Sequence, residues 1–252
     1  MNTTSSKAFF RRRAWLAGLA LASPALLWFA VFMVGPLAFS FYASTLRWNG
    51  LLSSPMEIGV DNYARILSDP RFWRAVNNSA VQIVLGMVTV VPTAFALGFF
   101  LSRRPPGYRI LTLLFFAPVI SSTTAKAIMF IGLFLPEGMI NTILREVGLG
   151  GLTRFWLGEP STALGTIIAL DIWAGIGFYA VLFSASLSNV PADLYEAAEL
   201  DGAGPVTQMR RIALPLITDF VGVVLILHFL FLLLGSVQNV LLITQGGPGD
   251  FS

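Results

Sequence analysis

Residues 76–107, VNNSAVQIVLGMVTVVPTAFALGFFLSRRPPG, decide the fold of this chain. From Val76 to Leu101 the stretch is mainly apolar, and as a helix it is long enough to cross the hydrocarbon core of a membrane, which takes about 20 residues. The charged turn that follows, Arg103 to Gly107, contains adjacent prolines and cannot remain helical inside lipid. The stretch therefore predicts a membrane-spanning helix that ends at a basic turn.

The composition of the whole chain indicates the same environment. Of its 252 residues 56% are hydrophobic and only 12% are charged, whereas a soluble domain has about 25% charged residues. This predicts an all-α, polytopic helical bundle in a lipid bilayer. The absence of cysteine excludes disulfide scaffolds and thiolate metal sites, and a single histidine argues against a multi-histidine metal centre. The net charge of +3 is too small to indicate a nucleic-acid partner.

Four further apolar stretches bring the predicted number of spans to five. The predicted spans are 14–42, 76–101, 110–135, 162–187 and 216–243. Residues 1–13 form a basic tail, 43–75 an outer loop, and 141–150 a short surface helix. A signal peptide is the alternative for the first span, but its apolar core would end after about 7–15 residues. The core of the bundle is predicted at 76–243.

Arginine and lysine are concentrated in alternate connections, and this bias sets the orientation of membrane proteins. The basic side carries Lys7, Arg11, Arg12, Arg13, Arg103, Arg104, Arg109, Arg210 and Arg211. That side is predicted to be cytoplasmic, with the amino terminus inside. An odd number of spans leaves residues 244–252 outside, and this abrupt end leads us to expect a chain that is incomplete as written.

The connection 189–215 is much longer than adjacent spans need, and its residues predict two short amphipathic helices. Pro191 suits the first turn of a helix, and Gly202 and Gly204 with Pro205 permit a sharp reversal. Acids near the helix start are favoured by the helix dipole, and small residues allow close approach to another surface. These residues are Asp193, Glu196 and Glu199 for the acids, and Ala197 and Ala198 for the small face.

This connection resembles a motif of the permease subunits of bacterial binding-protein-dependent ABC importers. The motif is Glu-Ala-Ala, three residues, Gly, nine residues, Ile, one residue, Leu-Pro. The matching residues are Glu196, Ala197, Ala198, Gly202, Ile212, Leu214 and Pro215. The resemblance implies the type I ABC importer permease fold, usually with six spans, in the bacterial cytoplasmic membrane. It also implies that the connection is a coupling helix that docks on an ATPase; the alternative is an interfacial helix pair tucked beneath the bundle.

The resemblance further implies the partners of the chain. They are a dimer of ABC ATPase subunits, a second permease subunit and an extracytoplasmic solute-binding protein. The chain has two lysines, Lys7 and Lys126, and neither lies in the Gly-x-x-x-x-Gly-Lys-Ser/Thr pattern that holds nucleotide phosphates. We therefore expect a non-catalytic subunit without a cofactor, with ATP and Mg²⁺ bound by the partner ATPase.

Further motifs are similar to those of carbohydrate-type permeases. They are Asp61-Asn62-Tyr63, Phe72-Trp73, Pro118, Leu194-Tyr195 and Thr244-Gln245-Gly246-Gly247-Pro248. The last is similar to the first permease of maltose-, lactose- and glycerol-3-phosphate-type systems, and predicts a sugar or related polyol as solute. The alternatives are an amino acid, a polyamine, a phosphorylated polyol or a metal complex. A secondary transporter driven by an ion gradient would need inverted repeats or broken helices with ion ligands.

Polar residues inside the spans are candidates for the solute pathway, because a charge in hydrocarbon is costly. Lys126 and Asp171 lie at a similar depth, about 13 Å from the outer end of their helices, and are placed to meet. They either line the pathway or form a neutralised pair that holds two helices in register. Sugar-contact candidates are the amides Gln238 and Asn239 and the aromatic residues Trp173, Phe178 and Tyr179. His228 is expected to hydrogen-bond a neighbouring helix.

Overall fold

The computed structural model describes residues 3–48, 50 and 53–247. The side chains of residues 3–14, 16 and 236 lie outside that description, including the basic residues of the predicted tail. The contacts between residues separate two units, one ending at Phe72 and one beginning at Trp73.

The first unit begins with one long helix that contains a widened turn. Helix α1, Thr3–Phe29, continues through a π-helical turn, Ala30–Val34, into α2, Gly35–Ser44. The amide of Gly35 donates to the carbonyl of Ala30, five residues back. Proline at the next position, Pro36, would clash with the carbonyl four residues before it in a regular helix. Widening the turn is a known response to such a clash, and the helix thus covers the predicted span 14–42 and much of the predicted tail.

The predicted outer loop, 43–75, is more ordered than a loop. It contains a short antiparallel hairpin of β1, Leu46–Arg47, and β2, Met56–Glu57. It also contains α3, Asp61–Ser68, and the start of the next helix. The sequence did not reveal this hairpin, because two-residue strands are too short to show alternation, and the fold of the described residues is otherwise helical, as predicted.

The Asp61-Asn62-Tyr63 motif fastens α3 to the end of α2. The side-chain amide of Asn62 donates to the carbonyls of Ser44 and Leu46, both at 2.8 Å. The hydroxyl of Tyr63 lies 2.5 Å from that of Ser44. The carbonyls at a helix end have no helical amide from which to accept a hydrogen bond. The Asn62 side chain supplies that missing donor, so the motif has a structural role.

Helix α4, Pro70–Ser102, starts six residues before its predicted span. Pro70 is the first helical residue, and the Asp69 carboxylate accepts from the amide of Arg71 at 2.9 Å. A capping carboxylate followed by proline is a strong start signal for a helix. Gly107, in the left-handed conformation with φ of 76°, ends the basic turn after α4.

The predicted third span, 110–135, is not one helix. It consists of α5, Tyr108–Ile120, and α6, Thr123–Phe134, with a break at Ser121 and Ser122. The hydroxyl oxygen of Ser122 accepts from the amide of Ala125 at 3.1 Å and caps α6. The Ser122 hydroxyl therefore takes the place of a backbone carbonyl as hydrogen-bond acceptor, and the helix breaks within an apolar stretch. Hydropathy does not predict this competition between side chain and backbone.

The remaining helices of the second unit follow the prediction more closely. They are α7, Met139–Glu146; a 3₁₀ turn, Gly150–Leu152; α8, Ala163–Leu187; α9, Ala192–Leu200; α10, Pro205–Gln208; a π-helical turn, Met209–Ala213; α11, Leu214–Leu216; and α12, Thr218–Ile243.

Within the described residues, five helical stretches are long and apolar enough to cross a membrane, the predicted number. They are Ala17–Ser44, Pro70–Ser102, Thr123–Glu146, Ala163–Leu187 and Thr218–Gly235. The third of these joins α6 to α7 across a turn, so its bounds differ from the prediction.

Helix α8 is the centre of the second unit. One apolar cluster joins it to α4 and to the start of α12, and includes Val90, Phe95, Phe183 and Val224. A second cluster joins it to α6 and to the end of α12, and includes Ile167, Leu170, Phe130 and Ile243. Residues of α8 that face these clusters are almost fully buried, which fixes its rotation between its neighbours.

A close approach of two helix backbones holds α5 against α8. A Cβ atom at Gly177 would lie 1.7 Å from the carbonyl oxygen of Phe115. No side chain larger than hydrogen fits this crossing, as is common between membrane helices.

Gly177→Ala is therefore expected to destabilise the protein by at least about 1–3 kcal/mol, the usual cost of overpacking. The measurement is thermal unfolding in detergent, followed by fluorescence-detected size exclusion. Gly165→Ala on the same helix is the matched control, because a Cβ there meets nothing within 4 Å. Equal stability of the two variants would contradict the assigned crossing.

Candidate functional site

The connection between α8 and α12 folds as a helix pair, as its sequence predicts. Pro191 is extended, with φ of −55° and ψ of 132°, and directly precedes the first residue of α9, Ala192. Gly204 precedes α10, whose first residue is Pro205. The acids Asp193, Glu196 and Glu199 all lie on α9.

The reversal after α9 depends on Gly202. This residue has φ of 80°, in the left-handed region that side chains other than hydrogen rarely adopt. The amide of Gly202 donates to Glu199 at 3.0 Å, and that of Ala203 donates to Ala198 at 2.8 Å. These two bonds form a Schellman motif, which satisfies carbonyls at the helix end. The glycine of the motif is therefore explained by backbone conformation, since nothing lies within 4 Å of a Cβ placed there.

The Leu-Pro end of the motif also has a backbone explanation. The amide of Leu214 donates to the carbonyl of Met209, five residues back, and closes the π-helical turn before Pro215. The same arrangement precedes Pro36 in the first unit. Ala213 is fully buried and Ile217 nearly so, so the turn is packed against the core. The segment from α10 to α12 is thus fixed in direction.

The Glu-Ala-Ala part of the motif has a different character. Glu196 and Ala197 are exposed and Ala198 is half-buried. Of the ion pairs among the described residues, none includes Glu196. Leu200, one turn further along α9, is 91% exposed, the largest value among the exposed large apolar residues of the described region. This face of α9 therefore presents an acid, small residues and an apolar side chain, and it contributes little to the packing of the chain itself.

Arg103, in the turn after α4, joins that helix to both short helices. Its guanidinium donates to the side-chain carbonyl of Gln208 on α10 and lies 3.4 Å from the Glu199 carboxylate on α9. It also lies over two aromatic rings, 4.7 Å from the centroid of Phe99 and 5.0 Å from that of Tyr195. One side chain thus contacts α4, α9 and α10.

The partners of Arg103 are themselves held in place. Gln208 is 1% exposed, and its amide nitrogen donates to the carbonyl of Ala203 at 2.8 Å. Burial raises the pKa of the Tyr195 hydroxyl, and the Arg103 charge opposes this rise. Tyr195 therefore remains a neutral phenol, and its contact with Arg103 is a cation–π interaction. Its hydroxyl is buried without a hydrogen-bond partner.

Inside the bundle, a buried polar cluster joins α4, α8 and α12. The two carboxylate oxygens of Asp171 accept from the side-chain amides of Gln82 and Asn239, each at 2.6 Å. The three residues are 3–6% exposed. Asp171 therefore pairs with two amides, and the expected ion pair with Lys126 does not form.

Lys126 is half-buried and lines a separate cleft of about 220 Å³. The cleft is also lined by Val119, Ala174, Gly175, Phe178, Tyr179 and Phe231. Of the ion pairs among the described residues, none includes Lys126. The cleft therefore combines a cation with aromatic side chains.

Of the other predicted pathway residues, Phe178 and Tyr179 share the Lys126 cleft and the rest do not line it. Tyr179 is buried against His228, with ring centroids 4.9 Å apart, whereas Gln238 is exposed and Trp173 is 40% exposed. His228 is fully buried, and its ring interacts with the backbone of Gly86 on the neighbouring helix α4, although neither ring nitrogen has a partner with full hydrogen-bond geometry. The Thr244–Pro248 motif lies partly outside the described residues, from Pro248 onward.

Sequence reasoning missed Gln82, Gln208 and the role of Arg103. Gln82 could have been found as a lone amide within a long apolar run, because buried polar groups need partners. Arg103 was read only as part of the basic side of the membrane. Phe99 lies one helical turn before Arg103, but Tyr195 and Gln208 are distant in sequence, so no local pattern indicates the whole contact.

Replacement of the Asp171 carboxylate tests the polar cluster. Asp171→Leu removes both acceptors, whereas Asp171→Asn keeps one, so we expect the leucine variant to be the less stable. Interhelical hydrogen bonds in membranes average about 0.6 kcal/mol with a maximum of about 1.7, so the loss should be about 1–3 kcal/mol in thermal unfolding in detergent. Asp219→Leu, an exposed acid in the first turn of α12, is the control. A leucine variant as stable as the unsubstituted protein would rule the cluster out as a stabilising contact.

Comparison with known proteins identifies the family. Residues 90–252 match the family described as binding-protein-dependent transport system inner membrane component. The probable ABC transporter permease protein YurN of Bacillus subtilis is 34% identical over 237 residues, 91% of this chain and 79% of that protein. The trehalose/maltose transport system permease protein MalF of Thermococcus litoralis is 30% identical over 251 residues, 98% of this chain and 83% of that protein.

A solved structure shares the fold. A chain of a bacterial ABC transporter involved in the import of the acidic polysaccharide alginate aligns with a TM-score of 0.78 at 22% identity, covering 95% of this chain and 80% of that one. This likeness confirms the predicted type I ABC importer permease fold. With the family match over most of its length and several apolar helices, the chain is a multi-pass membrane protein that belongs to the inner membrane components of binding-protein-dependent transport systems, the permease subunits of ABC importers.

Proposed function

We propose that this permease subunit moves a sugar or related polyol into the cell, and that a separate ATPase drives it through residues 196–215. The observation that carries this proposal is the division of labour within the motif. Gly202 and Pro215 fix the shape of the connection, whereas Glu196 and Ala197 are exposed on the surface of α9. A rigid helix with a free, small-faced surface is suited to dock on another protein and to move with it.

The proposed energy source lies outside this chain. Within the described residues there is no cluster of His, Cys, Asp or Glu that could hold a metal ion, and the sequence has no phosphate-binding loop. We propose that ATP and Mg²⁺ bind to a dimer of ATPase subunits at the end of the bundle that carries Arg103 and α9. The distribution of arginine and lysine supports the proposal that this end is cytoplasmic.

The proposed solute class rests on the relatives. The Thermococcus litoralis relative is named for trehalose and maltose, and the structural neighbour is named for alginate. We carry the carbohydrate class to this chain and propose that a second permease and an extracytoplasmic binding protein complete the importer. The ion-driven alternative receives no support, because the family match and the relatives named above are ABC transporter permeases.

The proposed solute pathway runs past the cleft that contains Lys126. A cation beside Phe178 and Tyr179 offers a hydrogen-bond donor next to aromatic faces, and sugar sites commonly combine the two. Trp173 and Gln238 remain pathway candidates because they are exposed on this chain. Asp171 and Asn239 contribute to the pathway through the position of α8 and α12, since their side chains are buried and bonded.

Charge reversal at Glu196 tests the coupling role. The Glu196 side chain is exposed, and none of the ion pairs among the described residues includes it. Glu196→Lys should therefore leave folding and membrane insertion intact. We expect uptake of labelled maltose by cells that contain the complete importer to fall at least tenfold, a change in rate that corresponds to about 1.4 kcal/mol of activation free energy. ATP hydrolysis by the purified assembly should no longer respond to the binding protein.

The matched control is Glu146→Lys, which reverses the charge of an exposed acid at the end of α7. It should retain uptake. Unchanged uptake with Glu196→Lys, at an equal amount of assembled protein, would contradict the coupling role of α9.

A further inference from the structure

Helix α4 has no covalent link to the helix pair that we propose to dock on the ATPase. That pair is continuous with α8 through Pro191 and with α12 through the π-helical turn. Movement of the pair therefore reaches α8 and α12 through the chain itself. It reaches α4 through packing, because the α4 backbone at Gly98 lies against α8 and apolar side chains join the two helices. The polar contacts between α4 and the helix pair converge on Arg103.

The contacts of Arg103 differ in strength. The ion pair with Glu199 joins a side chain that is 33% exposed to one that is 61% exposed, and exposed pairs contribute about 0–1 kcal/mol. The bond to Gln208 is also charge-assisted, and it is less screened by solvent because its acceptor is buried. The rings of Phe99 and Tyr195 are 6.0 Å apart and in contact with the guanidinium. Gln208 and the two rings therefore fix the guanidinium more firmly than Glu199 does.

The planar shape of the guanidinium explains why arginine suits this position. It offers donors in a fixed fork and a flat face that stacks on aromatic rings, whereas a lysine ammonium offers a point charge. Here donors reach Gln208 and Glu199 while the face covers Phe99 and Tyr195. The contact therefore resists both translation and rotation of α9 relative to the end of α4.

At the other end of its apolar stretch, α4 carries Gln82, which donates to Asp171. Gln82 lies about 30 Å from Arg103 at the helical rise of 1.5 Å per residue. A displacement imposed at Arg103 acts on a helix whose far part is bonded to α8 and, through Asp171, to Asn239 on α12.

We propose that Arg103 is a positioning residue that passes movement of the helix pair α9–α10 to α4, so that α4 moves together with α8 and α12 in the transport cycle. This inference rests on the proposed coupling function and adds a second route to it. The contact acts alongside the covalent connections to α8 and α12. Through it, movement of the ATPase also displaces α4, the remaining helix of the buried polar cluster.

The test compares two cysteine probes in one cleft. Ser79 on α4 and Val237 on α12 both line a cleft of about 160 Å³ and are exposed, and the chain has no natural cysteine. Ser79→Cys and Val237→Cys are prepared separately in the purified importer, with its ATPase subunits and second permease. The rate of labelling by a small maleimide is measured without nucleotide and with ATP and vanadate.

With Arg103 unchanged, nucleotide should alter the labelling rate at both positions. In Arg103→Gln the response at position 79 should fall at least about fivefold, the lower end of common coupling effects, whereas the response at position 237 should persist. Arg103→Lys keeps the charge and should retain an intermediate response at 79. Arg104→Gln removes the neighbouring charge and is the matched control, with both responses retained.

The outcomes separate the inference from the proposed function. A normal response at position 79 in Arg103→Gln would overturn the role of Arg103 alone, and so would an equal loss at both positions, which indicates general damage. If Arg103→Gln does not assemble, the test relies on Arg103→Lys. An intermediate labelling response at position 79 in that variant supports the role of Arg103, and a normal response overturns it. Absence of any nucleotide response with Arg103 unchanged would overturn the proposed coupling function itself.

Discussion

The left-handed backbone at Gly202 is the constraint on which the proposed coupling site depends. It ends α9 with two specific hydrogen bonds and turns the chain so that α10 lies beside the end of α4. Only in that position does Gln208 meet Arg103 and the carbonyl of Ala203 together. The π-helical turn before Pro215 then directs the chain into α12. The connection between α8 and α12 is therefore rigid, although hydropathy describes it only as polar. Its backbone groups and the buried side-chain amide of Gln208 have their hydrogen-bond partners.

The transmembrane part of the second unit relies on a different principle. Lipid offers no hydrophobic drive between helices, so close backbone contact and polar bonds hold them together. Gly177 supplies the close contact between α5 and α8, and Asp171 supplies the bonds among α4, α8 and α12. Helix α8 takes part in both. It also leads directly into α9, so the most buried of the five candidate spans is joined to the exposed surface that we propose to dock on the ATPase.

Much of this arrangement follows from the sequence, and the exceptions have identifiable physical causes. Five apolar stretches, the reversal at Gly202 and the family resemblance are local patterns, and the sequence predicted them. The break at Ser121 and Ser122 was missed because a hydroxyl cap competes with helical hydrogen bonds without changing hydropathy.

The polar contacts were harder to predict. The depths of Lys126 and Asp171 suggested an ion pair, but depth along a helix does not give rotation about its axis, and Asp171 instead faces Gln82 and Asn239. The contacts of Arg103 join residues about a hundred positions apart, a distance that no motif spans.

The central claim, that α9 docks on a separate nucleotide-hydrolysing subunit, is tested most directly by crosslinking from Leu200. This side chain is 91% exposed and lies one turn beyond Glu196. A photo-crosslinking amino acid at position 200, activated in intact membranes and followed by mass spectrometry, should form an adduct with an ATPase subunit. Adducts confined to lipid, or to a protein on the outer face of the membrane, would contradict the account.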